Sequence, residues 1–256
     1  MNSPRDLTAW LQGGTARCLH HPEAPPGGPW RLVLLGAPGV GKGSQAELLC
    51  ARLGACHLST GDIFRAARTS EPEGRTPALR TALECMHQGA LVSDATVLDL
   101  VAERTSCLRC AGGFVLDGFP RTVAQAAALE TLLQRLGVAL DAVLDYQLPL
   151  AVIMARLGHR RVCPSCGATY HEVERPPRRA GVCDACGTAL QQRDDDRPAA
   201  VKTRINAYLA TIAPLLEFYR TRGLLVIVPA DRSPEDVYAQ AWSLAAAAGL
   251  RSKAAG

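Results

Sequence analysis

The stretch "GAPGVGKGSQ" at residues 36–45 decides the fold of this 256-residue chain. The apolar run Arg31–Gly36 leads into it and predicts a buried parallel strand. The apolar spacing of Ser44–Gly54 predicts a helix after it. The glycines let the backbone turn and present N–H groups to an anion, and Lys42 adds a positive charge. Strand, loop and helix together predict a phosphate-binding loop.

Short apolar runs alternate with helical patterns along the rest of the chain. Further strands are predicted at 56–60, 113–118, 141–149 and 224–230. Further helices are predicted at 60–68, 78–89, 94–106, 122–137, 150–161, 198–222 and 233–249, the last with Ser233 as its N-cap. This alternation predicts an α/β fold: a doubly wound, parallel, five-stranded sheet of the P-loop NTPase type, with ligands at the carboxyl ends of the strands.

Composition narrows the classes of function. Hydrophobic residues make up 48% of the chain, which suffices for a core, and no uninterrupted apolar run reaches the ~18 residues of a membrane span. The net charge of +4 suits a small anionic ligand and is weak evidence for nucleic acid. Residues 1–30 form an N-terminal extension that ends in a Pro- and Gly-rich linker and lacks a signal-peptide core. We therefore expect a cytoplasmic protein, with import into an organelle left open.

Four of the ten cysteines form the pattern C-x2-C, sixteen residues, C-x2-C. A glycine after each pair allows the tight turn that aims two sulfurs at one metal. Four thiolates make a closed tetrahedral site, which favours structural Zn²⁺ over two disulfides in an apparently intracellular chain. The predicted ligands are Cys163, Cys166, Cys183 and Cys186. The others are interpreted as buried or incidental thiols, namely Cys18, Cys50, Cys56, Cys85, Cys107 and Cys110.

Asp117 ends the apolar strand "FVLD", a position that suits a Walker-B-type acid beside Mg²⁺ and the nucleotide phosphates. The alternative is an ordinary turn residue. Several arginines follow, and their planar forks can each bind two phosphate oxygens, although a single arginine is usually a solvated surface residue. These candidates are Arg121, Arg156, Arg160, Arg161, Arg193 and Arg204, with Arg156, Arg160 and Arg161 predicted at one helix end.

The chain resembles the long-form adenylate kinases over about residues 31–230. The matching stretches include "GAPGVGKGSQAELL", "LSTGDIFRAA", "GALVSDATV", "FVLDGFPRTVAQAAAL", "ARLGHRRVCPSCGATYH", "CDACGTAL", "RDDD" and "VKTRINAYLATIAPLLEFY". The loop of this family reads G-K-G-[ST], so Gly43 before Ser44 is the expected form. Two departures are Ala90, where many members carry Lys, and a longer segment at 68–77.

The resemblance implies transfer of the γ-phosphoryl group of ATP to AMP, giving two ADP, with Mg²⁺ and no covalent intermediate on the protein. It implies ATP contacts from Gly36, Ala37, Pro38, Gly39, Val40, Gly41, Lys42, Gly43, Ser44, Arg156, Arg160, Thr169, Tyr170 and Arg232. It implies AMP contacts from Thr60, Arg65, Ala90, Leu91, Val92, Gly118, Phe119, Pro120, Arg121, Gln125, Arg193 and Arg204. Catalysis would rest on Lys42, Asp117, Arg121, Arg156, Arg160, Arg193 and Arg204, with Asp62 assisting Asp117.

The resemblance also implies a division into domains. A core would comprise 31–58, 93–158 and 197–256, a nucleoside-monophosphate (NMP) domain 59–92, and a zinc-ribbon-like lid 159–196. The lid is too small for a core of its own, so a Zn²⁺ staple would let it move as a rigid body. The protein is expected to be a monomer that binds nucleotides and neither nucleic acid nor membranes.

Three alternatives stay open. The first is a kinase of the same fold for UMP/CMP or GMP, because base selectivity is hard to read from sequence. The second is a zinc-ribbon nucleic-acid-binding module, which leaves the phosphate loop unexplained. The third is a non-catalytic relative, which is expected to lack Lys42, Asp117 or several arginines, and this chain keeps them all.

Overall fold

The computed structural model describes residues 28–69, 75–87 and 92–247. They divide into two compact units. The smaller unit comprises Ala37–Val40 and Leu148–Ala210, and the larger unit comprises the remaining described residues. Most of the predicted N-terminal extension lies outside the described residues.

Five of the strands follow the predicted apolar runs to within two residues at either end, whereas the short strands Arg160–Val162 and Thr169–His171 were not predicted. The strands of the described chain are Trp30–Gly36 (β1), Cys56–Ser59 (β2), Gly113–Asp117 (β3), Ala142–Gln147 (β4), Arg160–Val162 (β5), Thr169–His171 (β6) and Leu225–Pro229 (β7). Five of them form one parallel sheet in the larger unit, in the order β2-β3-β1-β4-β7. The predicted five-stranded α/β fold is confirmed.

Helices connect the strands of this sheet. Those of the described chain are Lys42–Leu53 (α1), Thr60–Thr69 (α2), Pro77–His87 (α3), Asp94–Ala102 (α4), Thr105–Leu108 (α5), Val123–Arg135 (α6), Leu150–His159 (α7), Pro198–Arg220 (α8) and Pro234–Ala247 (α9). The predicted N-cap of α9 is confirmed, because the Ser233 hydroxyl accepts a hydrogen bond of 3.2 Å from Asp236 N–H.

The central strands are apolar because helices cover them. Phe114, Val115 and Leu116 of β3 are completely buried, and Leu129 of α6 packs in the same core. The chain runs from β1 to β2 and β3 on one side and crosses to β4 on the other. Ligands of such sheets bind where the order reverses, at the carboxyl ends of the strands. Those of β1 and β3 carry the phosphate loop and Asp117.

The single helix predicted over 94–106 is wrong. Helix α4 ends at Ala102, and the short α5 begins after a turn in which Arg104 N–H donates to the Val101 carbonyl at 3.0 Å. Tertiary contacts hold this turn. The Glu103 carboxylate accepts 3.1 Å from Ala78 N–H at the start of α3, and the Arg104 side chain is buried.

The helix predicted over 150–161 ends at His159, so Arg160 and Arg161 do not lie on a helix end. They form β5 instead, because Arg160–Val162 pairs antiparallel with Thr169–His171 in the smaller unit. The strand that pairs with β5 lies later in the chain, so the helical pattern within 150–161 gives no sign of it. The turn Asp194–Asp196 precedes α8 in the same unit.

Candidate active site and metal centre

The loop between β1 and α1 has the backbone of an anion-binding turn. Gly36, Gly39 and Gly41 have φ angles of 134°, 88° and 111°, which side chains rarely tolerate. Gly41 is the N-cap of α1 and has no side chain that could cap the helix. No N-cap side chain therefore accepts from the first N–H groups of this 12-residue helix. A helix N-terminus of this kind favours phosphate.

Lys42 begins α1 and folds back over the loop. Its Nζ donates a hydrogen bond of 2.6 Å to the Gly36 carbonyl. Its positive charge acts on two carboxyls: it helps to lower the pKa of Asp117 at the end of β3, and it opposes the rise that burial causes in the pKa of Asp145 in β4. The ammonium group therefore lies in the field of acids from the strands on both sides of β1.

Asp117 is an ionised carboxylate beside this lysine. Burial raises its pKa, but contact with His57 and the charge of Lys42 outweigh burial and bring it below its ordinary value. His57 Nε2 lies 3.9 Å from Asp117 Oδ2, which is too long for a good hydrogen bond. Sequence reasoning missed His57. The sequence carries no signal for this contact, because it depends on the β2–β3 register, in which Ser59 pairs with Asp117.

Asp145 is a second buried acid that sequence reasoning missed. Its side chain accepts 2.7 Å from Gln147 Nε2, and burial raises its pKa, with the Gln147 bond and the Lys42 charge opposing. In the sequence, Asp145 is a single polar residue within an apolar strand. Only its position near Lys42 of the phosphate loop, which the structure shows, distinguishes it.

The segment "DGFPR" brings several predicted AMP residues together. A Cβ atom on Gly118 would lie 2.9 Å from Thr60 Oγ1 and 3.3 Å from Arg121 Nη2, so only glycine leaves them room. Arg121 Nε donates 2.7 Å to the Gly118 carbonyl. Thr60, Gly118 and Arg121 thus form one group in the larger unit, beside Asp117.

Gln125 supports this group. Its Oε1 accepts 2.7 Å from Arg121 N–H, and its Nε2 donates 2.6 Å to Asp94 Oδ1. Asp94 Oδ2 also accepts 3.0 Å from the Thr122 hydroxyl. Asp94 was not predicted, because nothing in the local pattern of α4 marks it as a partner of a residue 31 positions away.

Three predicted arginines of the smaller unit are held by two acids of "RDDD", whereas Arg161 pairs with Glu172 at 2.9 Å. Arg160 Nε donates 2.7 Å to the buried Asp196, and Arg193 Nε donates 2.8 Å to Asp195. Arg204 Nη1 lies 3.2 Å from Asp195 Oδ2 and 3.4 Å from Asp196 Oδ1. Burial raises the pKa of Asp195, but these guanidinium groups bring it below its ordinary value. The sequence analysis identified "RDDD" as a stretch that matches the family, but it did not predict that the acids of this stretch bind these arginines.

Arg156 lies apart from these acids, with its Nε 3.2 Å from Glu174 Oε1 in the turn after β6. Phe119 and Pro120 are buried, Val92 is half-buried before α4, and Arg232 is exposed after β7. Ala90, Leu91 and the side chain of Arg65 lie outside the described residues.

The four predicted metal ligands converge in the smaller unit. Their sulfur atoms all lie within 4.8 Å of one another, with Cys163 and Cys186 at 3.4 Å and Cys166 and Cys183 at 3.5 Å. Tetrahedral Zn²⁺ with bonds of about 2.3 Å separates its sulfurs by about 3.8 Å. The cluster therefore has the dimensions of a zinc site. Among the described residues, no other group of three or more His, Cys, Asp or Glu is close enough for a metal.

Each cysteine pair is built as a turn. Gly167 N–H donates 3.0 Å to the Cys163 carbonyl, and Gly187 N–H donates 2.9 Å to the Cys183 carbonyl. Both glycines have positive φ, 72° and 75°, as the tight turn requires. Hydrogen bonds from Thr188 lower the pKa of Cys186 to about 6, whereas burial raises that of Cys166 to about 12. Four adjacent thiolates need a cation, so the donor set fits Zn²⁺.

The other cysteines of the described chain form no disulfide and lie outside the metal cluster. They are Cys50, Cys56, Cys85, Cys107 and Cys110, whereas Cys18 lies outside the described residues. No helix in the described ranges is both long enough and apolar enough to cross a membrane.

A glycine-rich loop ending in Lys42, with Asp117 at the end of the adjacent strand, defines the class of P-loop nucleotide phosphotransferases. The family described as adenylate kinase matches residues 34–224. The adenylate kinase of Caldicellulosiruptor saccharolyticus is 48% identical over 196 residues, covering 77% of this chain and 89% of the relative.

Two further relatives give the same result. The adenylate kinase of Desulforamulus reducens is 48% identical over 201 residues, 78% of this chain and 92% of the relative. That of Bacillus licheniformis is 46% identical over 208 residues, 81% of this chain and 94% of the relative. The chain belongs to the adenylate kinase family.

Proposed function

We propose that this chain transfers the γ-phosphoryl group of ATP reversibly to AMP, giving two ADP. The observation that carries the proposal is the arrangement at one edge of the sheet. Lys42 and Asp117 stand at the phosphate loop, and the group formed by Thr60, Gly118 and Arg121 stands beside Asp117. Membership of the adenylate kinase family supports the same reaction.

On the ATP side, the N–H groups of residues 36–44 would bind phosphate oxygens. Lys42 Nζ, which donates to the Gly36 carbonyl, would turn to the β- and γ-phosphates. Mg²⁺ carried by ATP supplies charge neutralisation between these phosphates, and Asp117 and Ser44 are the residues that would hold it or its waters. Asp117 suits this role because its lowered pKa keeps it ionised.

On the AMP side, Arg121 would hold the phosphate with its fork. Its Nε bond to the Gly118 carbonyl and the Gln125 bond to its backbone fix the guanidinium. The AMP phosphate oxygen then attacks the γ-phosphorus in line, and no protein side chain forms a covalent bond. We assign AMP contacts to Thr60, Arg65, Ala90, Leu91, Val92, Gly118, Phe119, Pro120, Gln125, Arg193 and Arg204 on the resemblance.

The arginines of the smaller unit would neutralise charge on the transferring phosphoryl group. Asp195 and Asp196 hold Arg160, Arg193 and Arg204 in fixed positions. These arginines, with Arg156, would exchange carboxylate partners for phosphate oxygens. Further ATP contacts are assigned to Thr169, Tyr170 and Arg232 on the resemblance.

The four cysteines are proposed to hold one structural Zn²⁺ in a lid spanning 159–196, which lies within Leu148–Ala210 of the smaller unit. Four sulfurs leave no open coordination position for substrate or water, so we assign this site no part in the phosphoryl transfer. We also propose an NMP-binding domain at 59–92, a core formed by the remaining residues from 31 on, and a monomeric, cytoplasmic protein.

A coupled assay of ADP formation from ATP with AMP, UMP, CMP or GMP tests the function. We expect turnover with AMP and little with the other three. If the protein prefers another monophosphate, AMP is not its substrate, but its assignment as a nucleoside-monophosphate kinase still holds. Absence of turnover with all four from folded, Mg²⁺-supplied protein would overturn the proposal.

A further inference from the structure

Tyr170 is buried inside the lid rather than directed to solvent. It lies in β6 and packs with Cys163, Ala168 and Cys183. Its hydroxyl oxygen accepts a hydrogen bond of 2.8 Å from Asp184 N–H and lies 3.5 Å from Cys183 Sγ. A phenol that accepts with its oxygen still has one proton to donate. The nearby sulfur is the acceptor that the geometry offers.

Thr188 occupies the matching position at the other cysteine of this pair. Its Oγ1 accepts a hydrogen bond of 3.3 Å from the Cys186 thiol. A metal-bound thiolate carries no proton, so in the loaded site this contact requires the Thr188 hydroxyl to turn and donate. Each cysteine of the second C-x2-C pair thus has one side-chain hydroxyl oxygen within 3.5 Å of its sulfur.

We propose that Tyr170 and Thr188 are positioning residues of the metal centre, which hold the Cys183 and Cys186 thiolates in place and keep the metal in the lid. Four thiolates around one divalent cation leave excess negative charge, and two hydroxyl donors disperse it. Groups that hydrogen bond to metal ligands typically change metal affinity 10- to 100-fold. This inference rests on the Zn²⁺ assignment made above and is independent of the phosphotransferase reaction.

The Tyr170 hydroxyl therefore faces the cysteine cluster, whereas the ATP contact assigned to this residue rests on the resemblance alone. Removing the hydroxyl should change how well the metal is retained.

The test compares Tyr170→Phe and Thr188→Val in the full-length, Zn²⁺-loaded protein. Zn²⁺ release to an excess of a chromogenic chelator gives the rate, and competition with the same chelator gives the affinity. We expect each variant to lose Zn²⁺ about tenfold faster than the unaltered protein, and to bind it about tenfold more weakly. Tyr219→Phe is the control for Tyr170, because Tyr219 is buried in the larger unit and its hydroxyl has no hydrogen-bond partner among the described residues. Thr131→Val is the control for Thr188, because Thr131 bonds only within α6.

Replacing Zn²⁺ by Co²⁺ gives an absorption spectrum that reports on hydrogen bonds to the sulfur ligands and that a loss of packing alone does not shift. Losing a hydrogen bond raises the energy of the sulfur electrons, so the sulfur-to-cobalt charge-transfer band should shift to longer wavelength in both variants. Release rates and spectra equal to those of the unaltered protein would overturn the inference. A protein that binds no Zn²⁺ but still forms ADP would remove the metal assignment and this inference together, and leave the proposed reaction standing.

Discussion

Lys42 is the side chain that links the phosphate loop to both neighbouring strands. Its bond to the Gly36 carbonyl and its effect on Asp117 and Asp145 place a fixed positive charge where the outer phosphates are proposed to bind. We predict that Lys42→Met lowers kcat for ADP formation by at least about a thousandfold, the scale of losing a preorganised charge contact. The coupled assay measures it.

The matched control for this variant is Lys202→Met. Lys202 is exposed on α8, so its removal should leave kcat unaltered. Circular dichroism should show both variants folded. Near-normal turnover of folded Lys42→Met would contradict the assignment of the loop.

Arg121 is the second residue whose geometry predicts a sharp effect. Arg121→Lys keeps the charge but loses the planar fork and the Nε bond to the Gly118 carbonyl. We predict that kcat/KM for AMP falls roughly 10- to 100-fold, since a hydrogen bond to a charged group contributes roughly 1.5–3 kcal/mol. The KM for ATP should change little. Arg220→Lys, at an exposed pair with Glu217, is the control, and an unchanged AMP dependence of Arg121→Lys would assign Arg121 elsewhere.

At the scale of elements, the turn after β6 depends on one imidazole. His171 Nδ1 accepts hydrogen bonds from Glu174 N–H at 2.9 Å and Val173 N–H at 3.3 Å, which only an unprotonated nitrogen can do. Burial, with the charges of His159 and Arg156, lowers the pKa of His171 against the opposing charges of Glu174 and Glu172. The folded protein therefore favours the neutral ring.

This lowered pKa sets the direction of a pH effect. The contribution of His171 to the free energy of unfolding is complete above its unfolded pKa of about 6.5 and is lost as pH falls through its lower folded pKa. We predict that the protein loses Tm relative to His171→Asn as pH falls from about 7.5 to about 5, because Asn still accepts the hydrogen bonds and does not titrate. His87→Asn, at an exposed site of α3, is the control. Parallel curves for His171→Asn and the unaltered protein would refute the role.

At the scale of the whole molecule, the two units are held by different means. The larger unit has a continuous apolar core across its sheet, whereas the apolar cluster of the lid consists mainly of the cysteines and their neighbours. We predict that the double variant Cys163→Ser with Cys166→Ser lowers Tm by several degrees and keeps substantial activity at low temperature, because the metal stabilises the fold and takes no part in the proposed reaction.

Elemental analysis should give about one Zn²⁺ per chain for the unaltered protein and less for the double variant. Cys50→Ser with Cys85→Ser removes two half-buried thiols of the larger unit that form no disulfide, and serves as the control. Metal-free protein with an unchanged Tm would contradict the structural role, and so would activity that requires Zn²⁺ when Mg²⁺ is saturating.

Features whose parts are neighbours in the chain could be predicted from the sequence. The phosphate loop, the C-x2-C turns and the Ser233 cap each depend on residues a few positions apart, and their chemistry follows from residue type and spacing. The positions along the chain of the five strands in the main sheet also followed, because periodicity reports which face of each element is buried.

Contacts between polar or charged groups far apart in the chain could be read only from the folded structure. Gln125 donates a hydrogen bond to Asp94, which is 31 positions away in the chain, and Arg160 donates one to Asp196, which is 36 positions away. The contact of His57 with Asp117 depends on the register of β2 against β3, and the split between α4 and α5 depends on Glu103 reaching the start of α3. Such pairs are brought together by strand register and helix packing, which sum many weak contacts over the whole core. The residues next to either partner in the sequence do not indicate these contacts. The free energy that stabilises each contact comes mainly from the packing of the surrounding fold.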